Sequence, residues 1–136
     1  MKKVVVSLLI AGSLLQAGDY TKEDRVKDMT AMAHAMGVIQ SGFFYNNYDT
    51  VAAGVVELSD TVVKVKPPVE EVNEKDVMAR YMNKKIQMSN KIVKKINQKA
   101  LTILERFKAG DTTQATQAYT KIMGQCMKCH REIRNW

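Results

Sequence analysis

Proline, glycine, cysteine and aromatic residues are all scarce in this chain of 136 residues, and each scarcity removes a class of fold or function. The only two prolines stand side by side at Pro67 and Pro68, so no helix elsewhere is interrupted by a missing amide hydrogen. Glycines number seven, and no alternation of apolar and polar residues persists beyond a few positions, which argues against a sheet. The two cysteines, Cys126 and Cys129, are too close in sequence for a disulfide between them to staple a fold. Aromatic residues make up 7% of the chain, with no Gly-rich or Arg-rich segment, so a base-stacking or phosphate-reading surface is not expected and nucleic acid is not an expected partner.

What is present begins with an apolar N-terminus. Met1, Lys2 and Lys3 precede the run "VVVSLLIAGSLL", and small Ala17 follows at a cleavage position. This is the layout of a secretory signal peptide over residues 1–17, which predicts a periplasmic mature protein, residues 18–136, forming one domain. No later segment has membrane-spanning length, so no stable membrane insertion is expected after cleavage. The formal charge of +7, to which Lys2 and Lys3 contribute, points to acidic partners.

Between residues 29 and 136 apolar residues recur at steps of three and four. Met29, Met32, Met36, Ile39 and Phe43 form a first stripe, and Val51, Val55, Leu58, Val62 and Val65 a second. The "KPP" at Lys66 to Pro68 ends the second helix. A third stripe runs through Met82, Ile86, Ser89, Val93, Ile96, Ala100, Ile103 and Phe107, on a helix expected over about 74–108 with Asn73 as its N-cap. Gly110 and Asp111 then close that helix and cap the next, which carries Ala115, Tyr119, Ile122, Cys126, Cys129, Ile133 and Trp136. Four striped helices with short connections predict an all-α, antiparallel four-helix bundle.

The chemistry concentrates in "QCMKCHREIRNW" at the end of the chain. Cys126, Cys129 and His130 stand at i, i+3 and i+4 and project from one face of one helix. Zinc wants four ligands, and the chain has only two cysteines and two histidines. A redox dithiol usually opens a helix, where the dipole lowers the thiol pKa; here the pair stands near a helix end. Cys-x-x-Cys-His is the attachment pattern for c-type haem, each thiol adding to one vinyl group while the histidine reaches the iron. One covalently attached haem c is therefore the expected cofactor, with a haem-free CxxC dithiol protein as an alternative of another class.

With "CMKCHREIR" at the C-terminus and "RVKDMTAMAHAMG" in the first helix, the chain resembles the class II c-type cytochromes, the cytochrome c′ family. The approach "FKAGDTTQATQAYTKIMGQC" is similar to that family's as well, and the likeness covers the whole mature chain, although Ile133 stands where a tyrosine is common. The resemblance implies iron bound by His130, with Met29 over the distal face. In the methionine-ligated, low-spin branch Met29 is the second iron ligand. In the five-coordinate branch it only crowds that face, and nitric oxide or carbon monoxide binds. The resemblance also places Arg25 near the haem edge or a propionate, and it leaves a homodimer open; Arg134 is either a propionate partner or a cation set at a helix C-terminus.

His34 is the other histidine. If Met29 faces the cofactor, a position five residues on turns away, so His34 is expected at the surface. The third helix is basic, with Lys84, Lys85, Lys91, Lys94, Lys95 and Lys99 among its cations; this reads first as a solvated outer face and second as a docking surface for an acidic redox partner. Glu57, Asp60 and the other carboxylates show no catalytic pairing. The expected function is electron transfer with redox partner proteins, and not enzymatic catalysis.

Overall fold

The computed structural model of the chain describes residues 20–65 and 75–133. The signal-peptide segment, the "KPP" stop, the Asn73 cap, Arg134 and Trp136 lie outside the described residues. The described chain is all-helical: α1 (Lys22–Phe44), α2 (Tyr48–Val62), α3 (Val77–Met82), α4 (Lys84–Lys108) and α5 (Thr112–Ile133). No strand occurs among the described residues, and no helix among them is long and apolar enough to cross a membrane.

Local chemistry sets the helix ends. The Thr21 hydroxyl accepts from the Asp24 amide at 3.1 Å, while the Thr21 amide donates to the Asp24 carboxylate at 2.9 Å. This reciprocal pair satisfies two donors that the first turn of α1 would otherwise leave orphaned. Asn47 caps α2 by accepting from Thr50 N at 3.0 Å. As the sequence predicts, Asp111 starts α5 by accepting from Gln114 N at 3.0 Å, just after Gly110 takes a positive φ of 78°.

One boundary differs from expectation. The single helix expected over 74–108 is broken at Asn83, whose extended backbone (φ −63°, ψ 113°) lets its side chain accept from Lys85 N and Ile86 N. A short polar side chain that bonds the backbone locally offers an alternative to helix continuation, and here it starts α4 afresh.

The core is built from the predicted stripes. Met32, Ala35 and Ile39 of α1 meet Val51, Val55, Leu58 and Val62 of α2, Ile92, Ile96, Ala100, Ile103 and Phe107 of α4, and Ala115, Ala118 and Ile122 of α5. In α4 it is Ile92 that is buried, with Val93 only half-buried beside it, a shift of one position around the helix. Burying one such aliphatic side chain contributes about 1.5–3 kcal/mol. Helices α1 and α2 pack closely: a Cβ on Gly54 would stand 2.8 Å from Ile39 Cγ1 and 2.9 Å from the Ala35 carbonyl. From there α2 packs on α4 and α4 on α5.

Candidate functional site

Tyr119 and Phe43 join α1 to α5 across a seam where the two helix backbones otherwise have little direct contact. The Tyr119 hydroxyl donates to the Met36 carbonyl at 3.2 Å. The Phe43 ring stands edge-on to Tyr119 with centroids 5.7 Å apart, and tilted against Phe107 at 5.3 Å. These contacts fill the seam toward the C-terminus of α1.

Toward the N-terminus of α1 the same seam opens into a cavity of about 340 Å³, within the size range of small-molecule and cofactor sites. Helix α1 supplies Met29, Met32 and Met36; α5 supplies Cys126, Cys129 and His130; Ser89, Ile92 and Ile96 of α4 and Val62 of α2 close the back. The wall is overwhelmingly apolar, because it is the continuation of the core stripes past the point where α1 and α5 part. A larger hollow of about 570 Å³ along the outer face of α5, lined by Thr112, Thr116 and Thr120, brings together no cysteine, histidine or carboxylate.

Four of the six residues singled out in the sequence line the one cavity: Met29 from one side, Cys126, Cys129 and His130 from the other. Both cysteines are unbridged thiols and half-buried. Burial, and then the neighbouring Cys129, push the Cys126 thiol above its ordinary pKa, because a thiolate there is poorly solvated. Burial also pushes the Tyr119 hydroxyl up, with Cys126 adding to it, so the phenol stays protonated and donating. The Nδ1 atom of His130 is shielded from solvent.

Arg25 lies one turn before Met29 and is half-buried. Its Nε atom is buried and has no hydrogen-bond partner among the described residues, and Arg25 is not one of the residues that line the cavity. His34 turns outward as expected, two-thirds exposed, with Nδ1 3.1 Å from the Glu57 carboxylate. Lys91, Lys94 and Lys95 are exposed on the outer side of α4, away from the face that lines the cavity. Among the described residues no group of three or more His, Cys, Asp or Glu side chains is arranged to hold a bare metal ion.

The sequence alone does not reveal the roles of Ser89, Val62 and Tyr119. Ser89 and Val62 are legible there only as stripe members. Tyr119 carries one usable signal, since a tyrosine on a core stripe needs a partner for its hydroxyl. Comparison with protein-family models, with curated proteins and with solved structures finds no match for this chain.

Proposed function

We propose that this chain is an antiparallel four-helix bundle holding one covalently attached haem c, a periplasmic electron carrier of the class II cytochrome type. The observation that carries the reading is the cavity: both thiols and the imidazole of the Cys-x-x-Cys-His motif line it from α5, and the Met29 thioether lines it from α1. The residues present fit the group. The lining is apolar, as a porphyrin face requires, and it brings the two thiols, one imidazole and one thioether side chain of the expected attachment and ligand set together.

In this reading Cys126 and Cys129 would anchor the group through thioether bonds, and His130 and Met29 would be the residues that ligate its iron. When bound, the haem supplies a reversible one-electron couple. Met29 favours the reduced ion, because a soft thioether stabilises Fe(II), and the apolar walls exclude water from the iron. Arg25, and Arg134 if it is not simply a cation at the helix C-terminus, would be the residues to pair with the propionates. No general base or nucleophile is needed, and redox proteins are the partners.

The position of the pair near the C-terminal end of α5, away from any helix N-terminus that would lower a thiol pKa, supports this reading over a haem-free dithiol protein. Expression with haem-attachment machinery, followed by intact mass and a pyridine haemochrome assay, tests the proposal. One haem per chain, with neither cysteine reacting with maleimide, is expected. A chain of unmodified mass with two reactive thiols refutes it.

A further inference from the structure

The seam between α1 and α5 is tied at its filled end, where the Tyr119 hydroxyl of α5 donates to the Met36 carbonyl of α1. Met36 stands two turns from Met29 toward the C-terminus of α1, and Tyr119 stands two turns from Cys126 toward the N-terminus of α5. The helices run in opposite directions past each other, so both offsets point the same way along the seam. Met29 and Cys126 therefore come to about the same height, roughly 10 Å beyond the hydrogen bond.

We propose that Tyr119 is a positioning residue: its hydrogen bond to Met36 sets the distance between the Met29 wall and the Cys126–His130 wall, and so decides whether the Met29 thioether reaches an iron held by His130. This rests on the haem reading above. Phe43 alone does not fix that distance, because an edge-on ring contact tolerates sliding, whereas a hydroxyl-to-carbonyl bond weakens steeply with length and angle. The Met36 carbonyl has a second lone pair and accepts the bond without leaving the helix ladder. The protonated phenol keeps the donor in place.

Tyr119→Phe keeps the ring against Phe43 and removes only the hydroxyl. In the haem-loaded protein it is expected to convert part of a low-spin, six-coordinate spectrum to high-spin and to raise the rate of carbon monoxide binding about tenfold, a change of about 1.4 kcal/mol in the barrier to opening, with Met29→Ala as the fully open reference. A Tyr119→Phe protein that matches the parent in spectrum and gas binding, while Met29→Ala differs, overturns the proposal. A second measurement is independent of haem. In a chain with Cys126→Ala and Cys129→Ala, nitroxide labels at Val26→Cys on α1 and Lys128→Cys on α5, both exposed positions, report the gap directly. Tyr119→Phe is expected to broaden and lengthen that distance distribution. An unchanged distribution overturns the proposal even where haem attachment itself has failed, and haem absent from the parent protein refutes the functional reading alone.

Discussion

The two ends of the α1–α5 seam are made from the same two helices and the same stripes, yet one is filled and the other is hollow. At the filled end, Phe43, Phe107 and Tyr119 bring three rings together over the core. At the hollow end the corresponding positions carry Met29, Met32, Cys126 and Cys129, thinner or more flexible side chains that leave about 340 Å³ between the walls. Ring volume makes the difference. Protein interiors pack to crystal-like density, so a space of this size beside the core stripes is one that the described residues leave open. The side chains that surround it are those able to bond or ligate a soft, flat, apolar group.

The largest effect that separates the two ends is expected from Met29→Ala. It removes the proposed iron ligand from the hollow end and leaves the three rings of the filled end in place, so the haem-loaded protein should turn from low-spin to high-spin. His34→Ala, outside the cavity, should leave the same spectrum alone. A Met29→Ala protein with the parent spectrum would remove Met29 from the iron.

Ile39→Ala probes the packed core beside the filled end. Ile39 is completely buried between α1 and α2, and the lost contacts and residual cavity should cost about 2–5 kcal/mol in denaturant unfolding. The spectrum of haem-loaded, folded protein should stay close to that of the parent. A large spectral change with little loss of stability would mean that the two ends are not separable in this way.

The smallest effect is expected where α1 begins, near the hollow end. The Thr21 backbone bond, and then the Thr21 side-chain bond, hold the Asp24 carboxyl below its ordinary pKa of 3.8. A carboxyl whose pKa is lower folded than unfolded stabilises the fold above its unfolded pKa, and that contribution is lost as pH falls through the folded pKa. Asp24→Ala should therefore be slightly less stable than the parent at neutral pH, and the gap should close in acid. A stability difference that grows as pH falls would contradict the capping role.

Much of this contrast is legible in the sequence. Ile39, Leu58, Ile103 and Ile122 declare themselves by spacing, because a buried helix face needs an apolar residue every three or four positions. The cysteines and His130 declare themselves by motif. Three features do not. The break at Asn83 depends on a side chain choosing a local backbone partner, which spacing does not encode. The exchange of Val93 for Ile92 in the core depends on the rotation of α4 against its neighbours. The Tyr119–Met36 bond joins residues 83 apart, and only the packed helices bring them together.

The central claim is that the hollow end of the seam holds a haem between His130 and Met29. The visible absorption spectrum of the mature, haem-attached protein, reduced and then exposed to carbon monoxide, tests it most directly. A sharp low-spin spectrum that resists the gas is the predicted result. A broad high-spin spectrum that shifts when the gas is added would contradict Met29 ligation and make the cavity a gas-binding site, and a spectrum with no haem band would contradict the account as a whole.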